Sequence, residues 1–91
     1  MLTGQMPSVI SINPNPASGI IHIEIKTTET GRTRLELLNL LGMKVATISD
    51  GELAPGSHSF NFNSQGLSAG SYFVTMTTPT VRRIERVDVD K

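Results

Sequence analysis

Two imidazoles, two closely spaced carboxylates and four cations near the C-terminus are the side chains of this 91-residue chain whose types and spacing could do chemistry. His22 alternates with Ile21 and Ile23, so a strand that turns its isoleucines inward sends this imidazole into water. His58 lies in Gly56-Ser57-His58-Ser59, which reads as a turn entering a strand. A Ser-His-Asp device needs its serine on a strained turn beside an oxyanion hole, and no Gly-x-Ser-x-Gly occurs. Asp88 and Asp90 fall on one face of a strand, and with Glu85 and Asp50 they offer the oxygens that a hard cation prefers. No loop of calcium-binding spacing surrounds them, so they read as a solvated polar edge facing Arg86 and Lys91. The chain has no cysteine, which removes disulfides, thiolate nucleophiles and Cys-ligated metals. The expectation is a protein without a catalytic, cofactor or metal site.

The bulk composition points the same way. A chain of this size buries only roughly 60 to 70% of the surface its unfolded form exposes, so it supports one modest core and no deep catalytic cleft. Eight basic residues balance eight acidic ones, and the basic residues are spread along the chain, which leaves no field to attract nucleic acid or an anionic membrane. No apolar run approaches the roughly 20 residues of a membrane helix. No basic start followed by an apolar run and a small-residue cleavage site marks a signal peptide, so any export of this domain would be directed from upstream. Residues 1–6 have neither period nor pairing partner and read as linker, leaving 7–91 as one domain.

The elements that must position these side chains are strands. Ile21, Ile23 and Ile25 alternate with His22, Glu24 and Lys26, giving one β-branched face and one polar face. Similar alternation recurs at 9–12, 33–37, 43–48, 59–62, 72–77 and 81–89, for seven strands in all. The leucines at 35, 37, 38, 40 and 41 admit a helix, but their alternation and the following Gly42 favour a strand running into a tight turn. Thr30-Gly31, Leu41-Gly42, Asp50-Gly51, Pro55-Gly56, Gln65-Gly66 and Ala69-Gly70 each offer a glycine where a turn would need positive φ. Asn13-Pro14-Asn15-Pro16 stiffens an extended corner. Nineteen Ser and Thr residues suit pleated surfaces and turns, and only four aromatics are present, so the core must be built from Ile, Leu and Val. The predicted fold is all-β, an immunoglobulin-like sandwich of about seven antiparallel strands.

Three blocks in order resemble a known family, the C-terminal sorting domain (type A) of the type IX, or Por, secretion system of Bacteroidetes. They are Pro14-Asn15-Pro16-Ala17-Ser18 after the opening strand, Leu38-Asn39-Leu40-Leu41-Gly42-Met43-Lys44-Val45, and Gly66-Leu67-Ser68-Ala69-Gly70-Ser71-Tyr72-Phe73-Val74. A basic, valine-rich finish at 86–91 closes a resemblance that covers residues 8–91. The chain departs from the family's pattern at Asn13 and Asn39, where an aromatic is common, and at Asp88 and Asp90, which interrupt a usually more apolar last strand.

The resemblance implies a non-catalytic sorting module at the end of a larger cargo. The cargo would cross the inner membrane by Sec, and the folded domain would be captured by the outer-membrane translocon and its shuttle proteins. A sortase-like cysteine protease would then remove the domain near its N-terminal linker. Localisation would be the periplasm in transit, then the outer membrane, the cell surface or the medium. Within the motif Lys44 is a marker residue, while Asn15, Pro16, Gly42, Gly70 and Tyr72 have architectural tasks. Pro16 locks the exit from the first strand, Gly42 permits a turn, and Gly70 lets Tyr72 enter its strand with the ring inward. Arg86 and Lys91, on an exposed C-terminal edge, are the residues expected to be read by a partner, by strand addition or otherwise. The exposed edges also admit a weak homodimer. An alternative reading is an immunoglobulin-like accessory module binding carbohydrate or protein beside a secreted hydrolase, but such modules show exposed aromatics, and this chain has few. A pure spacer is a third.

Overall fold

A computed structural model describes residues 9–14 and 19–90. Its strands are β1 (Val9–Asn13), β2 (Ile20–Thr27), β3 (Gly31–Leu38), β4 (Lys44–Leu53), β5 (Gly56–Asn63), β6 (Gly70–Thr77) and β7 (Arg82–Val89). One 3₁₀ turn, Ser64–Gly66, separates β5 from β6. The strands form two antiparallel sheets, ordered β1-β2-β5 and β4-β3-β6-β7, which is the all-β immunoglobulin-like sandwich that the alternation predicts.

Period-2 burial explains the packing. Ile21, Ile23 and Ile25 of β2 face Leu35 and Leu37 of β3, Val74 and Met76 of β6, and Val87 and Val89 of β7, with Ile10 and Tyr72 completing the buried cluster. Tyr72 is the one aromatic in that cluster, while Phe60 and Phe62 only flank it from β5. The core is therefore aliphatic and two layers deep, as the scarcity of aromatics requires.

The chain enters at one end of the sandwich and leaves at the other. Val9 pairs with Lys26 near the end of β2, while Val89 pairs with Gly70 at the start of β6. The entry end carries the β2–β3, β4–β5 and β6–β7 connections. There the Glu29 carboxylate accepts hydroxyl hydrogen bonds from Thr78 (3.1 Å) and Thr80, joining two loops. The exit end carries the β3–β4 hairpin and the 3₁₀ turn. In that turn Asn63 Oδ1 accepts from the Gln65 amide, and the buried Ser64 hydroxyl donates to the Gly19 carbonyl at 2.6 Å.

Positive φ occurs at Gly42, Gly56 and Gly70, and not at Gly31, Gly51 or Gly66, which corrects the expectation for those three. Asp50-Gly51 is no turn: both residues lie inside β4, opposite Arg34 and Thr33. Two bulges, at Ile48 and Val45, let this strand stay paired with β3 for ten residues although its alternation falters. Gly31 has a different requirement, because a Cβ there would lie 2.7 Å from Pro79 Cγ. The leucine-rich 35–41 stretch is strand to Leu38 and turn thereafter.

Candidate functional site

The exit end of the four-stranded sheet gathers most of the predicted site residues that the structure describes. Gly42 closes the β3–β4 hairpin at φ 82°, and its amide donates to the Asn39 carbonyl at 2.9 Å. Asn39 organises the rest of this turn. Its Oδ1 accepts from the amides of Leu41 (2.9 Å) and Met43 (3.0 Å), and its own amide donates to the Met43 carbonyl at 2.9 Å. The side chain thus satisfies turn amides that no strand partner reaches, as Asx turns do. Lys44 opens β4 opposite Leu38, with Nζ 3.9 Å from the Glu36 carboxylate.

Gly70 opens β6 at φ 149° opposite Val89. That conformation is costly for a residue with a Cβ and lets the chain swing from the 3₁₀ turn into the strand. Two residues on, Tyr72 points into the core opposite Val87, and its hydroxyl donates to the Ser68 carbonyl at 2.7 Å. The ring therefore pins the corner to the strand, a device that sandwich folds use at inter-sheet crossings.

β7 is an edge strand, paired only with β6 among the described residues. Val87 and Val89 are buried, whereas the five residues from Arg82 to Arg86 are exposed. Arg86 projects from the outer face. Its Nε donates to Asp88 Oδ1 at 3.1 Å and its Nη2 donates to Ser71 Oγ at 2.9 Å. The Ser71 hydroxyl in turn donates to Asp88 Oδ1 at 2.6 Å. These hydrogen bonds, from Ser71 first and Arg86 second, hold the Asp88 carboxyl below its ordinary range. Asp88 is thus a positioned partner of Arg86 rather than one half of an oxygen pair with Asp90, which lies beyond the strand.

The register brings together residues distant in sequence. Arg86 is opposite Phe73, Phe73 opposite Leu38, and Leu38 opposite Lys44, so one row across the outer face reads cation, aromatic, leucine, cation. Asn15, Pro16 and Lys91 lie outside the described residues.

The remaining candidates do not assemble a reactive centre. His22 is exposed, as expected, and its Nδ1 lies 2.7 Å from Asn61 Oδ1. His58 points to the other side of the same sheet, half-buried, with Nε2 2.7 Å from the Ala54 carbonyl. Among the described residues no three His, Cys, Asp or Glu side chains cluster as metal ligands. No helix among them is long and apolar enough to cross a membrane.

The family model for the secretion system C-terminal sorting domain matches residues 11–89. The chain belongs to that family. Comparison with curated proteins gives no match. The match spans β2 to β7 in full and most of β1, so the whole sandwich, and not one motif, carries the likeness. The sorting domain serves type IX secretion as a C-terminal signal, in a family that is generally non-catalytic, for a cargo that passes the envelope to become secreted or surface-borne.

Sequence reasoning missed one feature of the sorting domain. Leu40 (63% exposed), Leu41 (83%), Met43 (59%) and Val45 (42%) stand in solvent around the β3–β4 turn. The available signal was an apolar run about Gly42 with no polar residue between Leu40 and Met43, longer than a two-sheet core can absorb at a hairpin end.

Proposed function

We propose that the domain directs an upstream cargo through the type IX outer-membrane translocon, handed on by shuttle proteins, and is removed by a sortase-like cysteine protease cutting in the N-terminal linker. In this reading residues 7–91 are the signal and 1–6 the linker. The cargo route runs from the periplasm to the outer membrane, the cell surface or the medium. Asn15, Pro16, Gly42, Gly70 and Tyr72 act through the fold, with Lys44 as part of the hairpin motif. Arg86, on the β7 edge, and Lys91 are contact residues, and a partner reads that edge by adding a strand or by docking on the outer face. Family membership over residues 11–89 is the observation that carries this reading. Among the described residues β7 has no strand partner besides β6, and this supports the reading, because an edge strand presents backbone donors and acceptors to an incoming chain.

The test is a fusion of the whole chain to the C-terminus of a Sec-exported fluorescent reporter, localised in a type IX-competent strain and in a translocon-deficient one. Surface signal only in the competent strain is the expected result, with a processed product whose new terminus maps to the linker. Periplasmic retention of a folded fusion in both strains would overturn the reading and favour a binding module.

A further inference from the structure

Arginines that the sequence scatters meet on one face of the fold. The register sets Arg34 of β3 opposite Thr77 of β6, and Thr77 opposite Arg82 of β7, so two cationic side chains flank one threonine on the outer face of the four-stranded sheet. Arg32 precedes Arg34 by two residues and shares its face of β3. Here, at the entry end of the sheet, a cleft of about 210 Å³ opens, lined by Arg32, Arg34, Thr77, Thr78 and Pro79. No carboxylate is among these lining residues. The volume falls below the roughly 300 Å³ at which pockets for drug-sized ligands begin, and suits a small ion or the charged end of a larger molecule.

The charges around the cleft are not evenly matched. Arg32 is held, because its Nε and Nη2 each donate at 2.9 Å to one oxygen of Asp50. Asp50 is the cross-strand neighbour of Arg34, yet both its oxygens bond Arg32. The Glu36 carboxylate stands 3.5 Å from Arg34 Nε and is shared with Lys44 at 3.9 Å. That contact makes no hydrogen bond. Among the described residues Arg34 Nε is the one buried side-chain polar atom without a hydrogen-bond partner. Native structures rarely leave a buried donor unmatched, and a charged one costs more than a neutral one. The side chain as a whole is 43% exposed, so the guanidinium is reachable from the cleft. An anion entering there meets a cation that gives up no native hydrogen bond to receive it.

The walls narrow the class of anion. A carboxylate offers two oxygens in one plane and is satisfied by one guanidinium, as Asp50 is by Arg32. Cations from two strands with a hydroxyl between them match instead a tetrahedral group with three terminal oxygens and up to two charges. Pro79 adds an apolar wall for a carbon substituent on that group. The wall is preformed: the Pro79 ring lies so close to Gly31 that a Cβ there would stand 2.7 Å from its Cγ, and Thr78 ties the same loop to Glu29 at 3.1 Å.

We propose that the cleft lined by Arg32, Arg34, Thr77 and Pro79, with Arg82 beside it, is a binding site for a phosphate group, either the free ion or a monoester of a small organic molecule. The site goes beyond the sorting reading and stands apart from it, since side chains of this domain alone compose it.

The test is an NMR titration of the purified chain, at constant ionic strength and neutral pH, with sodium phosphate and with glycerol phosphate, following the arginine Nε–H signals and the amides of Thr77 and Thr78. The expected result is saturable shifts with a Kd of about 1 mM for the tighter probe, as suits a small ion in an open site. Arg34→Gln should weaken binding about tenfold or more, whereas Arg83→Gln, which removes an equal charge opposite the buried Met76 on the other face of β7, should leave it unchanged. Tighter binding of glycerol phosphate supports the site and identifies an ester as its ligand; equal or weaker binding supports it and identifies the free ion. Melting curves establish that each variant is folded, and Thr77→Val and Arg82→Gln, each expected to weaken binding about threefold, carry the same test if Arg34→Gln does not fold. Shifts that fail to saturate, or that sodium chloride reproduces, overturn the proposal. Equal weakening by Arg83→Gln and Arg34→Gln reduces the effect to net charge and overturns it as well. Acetate bound as tightly as phosphate would make the cleft a carboxylate site, and the proposal fails in that case too.

Discussion

The two edges of the four-stranded sheet are built for opposite ends. β4 breaks register with β3 twice, at Ile48 and Val45, and its ten residues are laced by Arg32 to Asp50 (2.9 Å) and Lys44 to Glu36 (3.9 Å). Bulges twist an edge away from any flat partner, so this edge is blocked against strand addition. β7 keeps an unbroken eight-residue register with β6. Its two buried valines clamp one half to the core while the other half stands in solvent with Arg82, Arg83, Glu85 and Arg86 exposed. Charges guard this edge against self-association without closing its backbone. In the function proposed above, a partner of complementary charge would approach along β7, the edge that carries no bulge.

The largest effect is expected where the β7 edge is anchored. Tyr72→Ala removes the buried ring opposite Val87 and the hydroxyl that binds Ser68, and should cost about 3 to 5 kcal/mol, as deletions of buried aromatics do. Urea unfolding would show it as a large drop in midpoint, and with the anchor gone the contrast between the edges should vanish. Charge reversal at Arg86→Glu with Lys91→Glu is the more selective change. We expect a slightly lowered melt, from loss of the exposed contacts of Arg86 with Asp88 and Ser71, and about a tenfold loss of surface export if the proposed contact is made there. Normal export of this folded variant would mean that β7 is no more a recognition edge than β4.

On the β4 side, Gly42→Ala forces a Cβ into φ 82° and should lower stability by about 1 kcal/mol, read from the urea midpoint. A wild-type midpoint would show that the hairpin does not depend on glycine. The smallest effect is electrostatic. Arg32 holds Asp50 below the ordinary carboxylate range, chiefly through its hydrogen bond, and Ser71 and Arg86 do the same for Asp88. Because both carboxyls titrate lower folded than unfolded, their contribution is fully present above the ordinary carboxylate pKa and is lost as pH falls through the lowered values. Melting temperature should therefore decline on acidification, less steeply in Asp50→Asn and in Asp88→Asn than in wild type. Equal slopes in all three proteins would remove this pair of contacts from the balance at either edge.

Much of this was legible from local pattern. Alternation at Ile21, Ile23 and Ile25 reports a strand and the direction of His22, because a pleated backbone forces neighbouring side chains to opposite faces. Gly42 and Gly70 announce turns because few other residues tolerate their φ. The same rule failed at Gly51, where glycine merely continues a bulged strand opposite Thr33. A dipeptide carries no record of whether a neighbouring strand will hold it extended.

By itself, then, the sequence determined seven strands, an aliphatic core, an outward His22 and turns at Gly42 and Gly70, all of which follow from backbone sterics and burial acting over a few residues. Only the tertiary structure decided that β7 pairs with β6 and, among the described residues, with no other strand, that β4 is the bulged edge, and that Arg86, Phe73, Leu38 and Lys44 share one row. It also decided that Leu40, Leu41 and Met43 stay outside the core that took Leu35 and Leu37. All five side chains are apolar and equally suited to burial. Their fates differ because two packed sheets offer inward positions only along the paired strands, and the hairpin carries the last three past the end of the layer they would have joined.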